Sequence, residues 1–200
     1  LKPEGPEPEA EYIASNESML HLSSVTSCIM CGACVSDCTV MEVDPTFLGP
    51  AALAKAYRFT ADPRDGDADG VSKKRLEDLT KPSGMWDCTR CTECVVVCPK
   101  GVAPMDRIMA LRDKAMEAGF DKTYGARHAI AFEESVGHSG WLDELRIIPK
   151  TFGMFNPLSL GPLLGMIPVG LRALRRRKLP PIRHKSIPGV KNVRSIFKKV

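Results

Sequence analysis

Eight cysteines, the full complement of this 200-residue chain, stand in two groups: Cys28-Ile-Met-Cys31-Gly-Ala-Cys34-Val-Ser-Asp-Cys38 and Cys88-Thr-Arg-Cys91-Thr-Glu-Cys94-Val-Val-Val-Cys98-Pro99. Both read C-x2-C-x2-C-x3-C. Three thiolates at that spacing wrap one loop around a single iron-sulfur cube, while the fourth is carried past the loop and, in two-cluster proteins, serves the other group's cluster. The pattern therefore predicts two 4Fe-4S clusters, one on Cys28, Cys31, Cys34 and Cys98, the other on Cys88, Cys91, Cys94 and Cys38. Small residues in the loops, Gly32 and Ala33 in the first and Thr89 and Thr92 in the second, allow the backbone to come close. Pro99 has no N–H and turns the chain out. Zinc is the poorer reading, because zinc modules present paired C-x2-C knuckles and each group here has an extra cysteine. Disulfides suit neither this spacing nor a reducing compartment.

Clusters shared between groups need elements that bring the groups together. The 49 residues between Cys38 and Cys88 are helical in pattern, so iron would tie together distant segments and neither half is expected to fold well without it. Residues 1–15, opening on Pro, Glu and Gly, read as a linker or strap from a domain upstream of Leu1. A short helix is predicted from Ser18 as its cap, with Met19, Leu22 and Val25 on one face. Pro50 opens a second over Ala51 to Thr60, stopped by Asp62-Pro63. Asp65, Asp67 and Asp69 alternate in the next loop, but Leu76 stands where a calcium loop needs Glu, so a solvated turn is expected. Another helix covers Ser72 to Thr80. Pro104 opens the strongest, with Met105, Ile108, Met109, Arg112 and Met116 on a shared face and Gly119 beyond its end. Strand patterns are nearly absent, and the predicted class is all-α. The expected organisation is a helical ferredoxin domain over 16–120, a helical extension over 121–150, and a docking tail over 151–200.

Three segments carry a family resemblance. They are Cys28-Ile-Met-Cys31-Gly-Ala-Cys34, Asp44-Pro-Thr-Phe-Leu-Gly-Pro-Ala-Ala-Leu-Ala-Lys-Ala-Tyr-Arg-Phe59 with Pro63-Arg-Asp65, and Cys94-Val-Val-Val-Cys98-Pro-Lys-Gly-Val-Ala-Pro104. Together they resemble the C-terminal domain of the iron-sulfur subunit of succinate dehydrogenase and fumarate reductase, over roughly residues 12 to 118. The resemblance implies an electron-transfer subunit relaying single electrons between an FAD-containing flavoprotein, where succinate or fumarate reacts, and a membrane-side, quinone-linked acceptor. Trp86 to Val102 is also similar to the small iron-sulfur subunit of heterodisulfide reductase, which implies the alternative of a cysteine-rich, disulfide-reducing acceptor. Dehydrogenase members usually lack the cysteine at Cys91 and hold a three-iron cluster there; this chain supplies the thiolate. Their Pro, Trp pair and His are replaced by Thr39, Glu42, Val43 and Thr89, so a quinone pocket of the usual kind is not expected.

No substrate chemistry is expected of this chain itself. It has no Gly-rich dinucleotide fingerprint, and His21, His128, His138 and His184 are scattered and expected at the surface. Charge is divided unevenly: the last acid is Glu144, and eleven of the 28 Lys and Arg fall between Arg172 and Val200. The 17 that remain face all 24 acids, leaving residues 1–171 at −7. The basic tail suits anionic lipid or an acidic subunit, and the lack of interleaved aromatics argues against nucleic acid. Thr151 to Leu171 is uncharged over 21 residues, but Pro157, Pro162 and Pro168 interrupt the backbone ladder a membrane span requires. With no export signal in the opening run, the expected place is cytoplasmic and peripheral, on the inner face of the membrane.

Overall fold

The computed structural model describes residues 6–66, 70–153, 160–181 and 184–198, and among them it contains helices and no strand. The chain divides after Asp121 into two units. The first holds α1 (Asn16–Thr26), α2 (Ala33–Ser36), α3 (Thr39–Val43), α4 (Gly49–Thr60), α5 (Val71–Leu79), a 3-10 turn (Met85–Asp87), α6 (Glu93–Val96) and α7 (Pro104–Glu117). The second holds α8 (Tyr124–Ser139), α9 (Glu144–Phe152), α10 (Leu160–Arg175) and α11 (Val190–Phe197).

The first unit is built on α4 packed against α7. Leu22 and Val25 of α1, Leu53 and Tyr57 of α4, Leu76 of α5, and Ile108, Leu111 and Ala115 of α7 form one buried cluster with Phe47 and Met85. Pro50 occupies the first turn of α4, where its missing N–H costs no helical hydrogen bond. Gly49 before it has φ +83°, and a Cβ there would meet Met41 Sδ at 2.7 Å. Leu53 is 0% exposed. Leu53→Ala is therefore expected to destabilise this unit by about 2–5 kcal/mol, read as a shifted midpoint in denaturant with an unchanged slope.

Two helix expectations are corrected. The cap of α1 is Ser15, whose hydroxyl accepts the Ser18 N–H at 3.2 Å, so the cap stands three residues before the predicted one. Both serines have cap chemistry, and Ser15 wins because one more turn still leaves Leu22 and Val25 facing the core. On α7 the buried stripe is Pro104, Ile108, Leu111, Arg112 and Ala115 rather than the methionine face. The two stripes share Ile108 and Arg112, and packing against α4 turns the helix toward Leu111 and Ala115; Met105 lines a cysteine cavity instead. In the acidic loop, Asp65 is engaged by Arg75, while Asp67 and Asp69 lie outside the described residues.

In the second unit α8 pairs with α9, and α11 returns onto α8. Arg194 donates from Nε to Gly137 O at 3.2 Å and from Nη2 to His138 O at 2.6 Å, placing a cation on the last carbonyls of α8. The Ile187 N–H bonds Ser139 O at 2.9 Å. Residues 184–198 thus fold back within their own unit. Pro157 lies outside the described residues, and Pro168 falls inside α10. Among the described residues no helix is long and apolar enough to cross a membrane.

Candidate metal centre

The two cysteine groups adopt the same local conformation. Left-handed residues alternate in each loop, Met30 (φ +61°) and Gly32 (φ +79°) in the first, Arg90 (φ +60°) and Thr92 (φ +68°) in the second. Such alternation curls the backbone into a concavity lined by N–H groups, which favours negative charge. Gly32 and Thr92 then start four-residue helices: Gly32 O accepts Val35 N at 2.9 Å, and Thr92 O accepts Val95 N at 2.8 Å. α2 packs on α6, and the fourth cysteines follow in the next turn, Cys38 N on Val35 O and Cys98 N on Val95 O.

Because those helices lie together, each fourth cysteine comes to the cavity of the other group. A cavity of ≈ 180 Å³ is lined by Cys28, Cys31, Cys34 and Cys98. A tighter one, ≈ 10 Å³, is lined by Cys38, Cys88, Cys91 and Cys94, with Phe47 and Ile108 on its wall. Neither lining includes a carboxylate or an imidazole. Among the described residues no three His, Cys, Asp or Glu side chains converge as ligands of a single ion would. Four soft thiols around a mostly apolar space are the donor set of a multi-iron cluster rather than of one metal ion; the first cavity has the room for a cluster, and the second, with space for about one water, must open to take it. His21, His128 and His138 are exposed and not among these lining residues, and His184 lies near Glu144 at 3.6 Å.

The thiols differ in what holds them. Burial pushes Cys94 up to about 11, opposed by the Met105 backbone N–H. Burial also raises Cys34, aided by Cys28. Cys91 is exposed and held below the usual thiol range by the Glu93 backbone N–H and then by the Thr39 hydroxyl, 3.6 Å from its Sγ. Cys98 Sγ accepts the Val102 N–H at 3.4 Å. Ligation must therefore expel protons that the metal-free protein holds firmly at Cys94.

One residue near the second group was visible in the sequence only as part of a helix face. The Arg112 guanidinium is buried and donates to Met85 O (2.7 Å), Trp86 O (3.0 Å) and Cys88 O (2.8 Å). It also stands 5.1 Å over the Trp86 ring, whose own Nε1 is buried with no partner among the described residues. The signal was present: a charge at an apolar helical position asks for buried acceptors.

Thr92 carries a local cost, since a β-branched residue at positive φ is strained by about 1–3 kcal/mol. Gly32 fills the corresponding place in the first loop without that strain. Thr92→Gly is expected to raise the thermal stability of the metal-loaded protein by about 1 kcal/mol, after the loss from glycine's greater freedom when unfolded.

Comparison with known proteins gives this arrangement relatives. Residues 24–102 match a 4Fe-4S dicluster domain. The iron-sulfur subunit of 8-methylmenaquinol:fumarate reductase from Wolinella succinogenes is 31% identical over 145 residues, 72% of this chain and 44% of that one. The fumarate reductase iron-sulfur subunit of Mycobacterium tuberculosis is 40% identical over 106 residues, 52% and 41% of the two chains. The succinate dehydrogenase iron-sulfur subunit of Coxiella burnetii is 33% identical over 111 residues, 55% and 46%. The chain spans less than half the length of each of these curated relatives.

Proposed function

Because this chain carries the 4Fe-4S dicluster domain of the succinate dehydrogenase and fumarate reductase iron-sulfur subunits, we propose that it relays single electrons between a flavoprotein and a membrane-side acceptor. Cys28, Cys31, Cys34 and Cys98 hold one 4Fe-4S cluster, and Cys88, Cys91, Cys94 and Cys38 hold the other. Such clusters supply a site that takes up and gives back one electron at a time. The observation that carries this reading is the pair of cavities, each lined by four cysteines and each drawing on both groups. The chain's own residues shield the inner side of each site, while Cys31 and Cys91 face outward: Val25 and Val102 wall the first, Phe47 and Ile108 the second, and all four are buried.

The relatives support two partners. The name of the Wolinella protein pairs 8-methylmenaquinol with fumarate, which supports an FAD-containing subunit on one side and a quinone-linked membrane subunit on the other. Helix α10 supports membrane-side docking in particular. Leu164, Ile167, Leu171 and Leu174 are exposed at helical spacing, and Arg172 and Arg175 to Lys178 follow on the same segment. An apolar stripe with a basic end suits the interface of an anionic membrane. Leu164→Ser with Leu171→Ser is expected to weaken flotation with phosphatidylglycerol vesicles more than about tenfold.

A cysteine-rich, disulfide-reducing acceptor is a second reading, favoured by Cys91, which lines the second cavity and completes four thiols there. Anaerobic purification with iron counting and EPR tests the cluster assignment. About eight irons and no oxidised three-iron signal are expected; about seven with that signal removes Cys91 from the ligands. A co-purifying FAD protein active with succinate or fumarate supports the first acceptor reading, and a disulfide reductase the second.

A further inference from the structure

Buried charge without a counter-ion is costly in a protein interior. Arg112 is 6% exposed, and burial lowers its pKa to about 10. Among the described residues no carboxylate forms an ion pair with it; its largest favourable neighbour is the Cys88 thiol, Arg90 opposes it, and Asp87 and Asp113 act more weakly. Its partners are all neutral: the carbonyls of Met85, Trp86 and Cys88 and, at 4.0 Å, the Met109 sulfur. The carbonyls lie on the 3-10 turn and first cysteine that lead into the second group. The indole of Trp86 lies over the guanidinium and adds a cation–π contact in a site poor in water. So much built structure around a buried cation calls for a negative charge that no carboxylate of the polypeptide provides and that sits on the Cys88 side.

The first cysteine cavity has no cation buried to that depth. Lys55, half-buried, and Lys100, exposed, stand on its lining, and Arg107, half-buried over the Tyr57 ring, donates to the carbonyl of Val102 at 3.4 Å and to Ser24 Oγ at 2.9 Å. The two sites therefore match in ligand atoms and differ in how deeply the neighbouring charge is buried.

We propose that Arg112 is the positioning residue and permanent counter-charge of the second cysteine site, gripping the carbonyls that lead into Cys88 and raising the affinity of that site for an electron relative to the first. This rests on the reading that both cavities hold clusters. An added electron makes a four-thiolate site more negative, and a guanidinium fixed in a low-dielectric surround stabilises the reduced form more than half-buried or solvated cations do. Electrons entering at the first site are then favoured to move to the second.

The test is an EPR-monitored redox titration of the loaded full-length chain with dithionite and mediators, the signals being assigned by Cys31→Ser, which disturbs the first site, and Cys91→Ser, which disturbs the second. Arg112→Met is expected to lower the reduced-to-oxidised ratio of the second site at fixed potential at least tenfold, which is 59 mV for one electron, and to change the first less than twofold. Arg112→Lys keeps the charge and is expected to hold the second site within about threefold of the parent. Met109→Glu leaves the carbonyl grip in place and sets a carboxylate where Met109 Sδ now lies 4.0 Å from Nη1; it is expected to shift the second site in the same direction as Arg112→Met. If Arg112→Met fails to load the second site, Met109→Glu decides alone. Two normally loaded clusters with an unmoved second site, or with both sites moved equally, overturn the inference. A parent chain without clusters overturns the reading beneath it as well.

Discussion

Cys98→Ser is expected to abolish or convert the cluster of the first cysteine group while sparing that of its own. Cys98 is a neighbour of Cys94 in sequence, but it lines the cavity of Cys28, Cys31 and Cys34. A serine oxygen is a harder and weaker ligand for iron than a thiolate, so the iron count should fall from about eight toward about four per chain, or the first site should be left with three irons. The discriminating measurement compares spectra: Cys98→Ser and Cys31→Ser should lose the same EPR signal, and Cys98→Ser and Cys91→Ser different ones. Ligation within each group predicts the reverse, and that outcome ends the exchange. Cys38→Ser is the mirror case, pairing with Cys91→Ser.

Removing iron by anaerobic chelation is expected to unfold the cysteine region of the first unit and to leave the second unit's helices in place. α2 and α6 have four residues each, far below the length at which a helix stands alone, and α2 buries no residue. Met30, Arg90, Thr92 and Ala103 hold left-handed conformations that each cost about 1–3 kcal/mol. Metal binding worth about 10 kcal/mol is as large as the whole stability of an ordinary domain. The second unit contains no cysteine, and its buried Ala126, Ala131 and Ile147 owe nothing to iron. Hydrogen exchange followed by mass spectrometry checks both halves of the expectation. Unchanged protection across 28–38 and 88–98 after iron loss would sink it, and loss of protection in α8 and α9 would show that the units depend on each other.

How far the sequence could be read depended on the range of the interaction. Pro50 and Pro104 mark helix starts through a missing N–H, a property of one residue, and both stand in first turns. The choice between Ser15 and Ser18 as cap, and the rotation of α7, were not legible in that way. Two serines had the same local chemistry, and two stripes on α7 shared Ile108 and Arg112. Only the core formed with α4 separates such alternatives. The basic C-terminal segment reads as a tail by composition, yet Arg194 bonds the end of α8. Its partners stand more than fifty residues earlier, beyond the reach of any local pattern.

Ligand chemistry needs no fold to be recognised: eight thiols at a repeated spacing specify iron-sulfur clusters because loop length and sulfur softness are properties of the chain itself. Packing decided which cysteines face one another and what charge stands beside them. The contact of α2 with α6 assembles four thiols at each cavity, and the approach of α7 buries Arg112 under the second loop. Burial and electrostatic neighbourhood arise between segments far apart in sequence, so they have no existence until the helices meet.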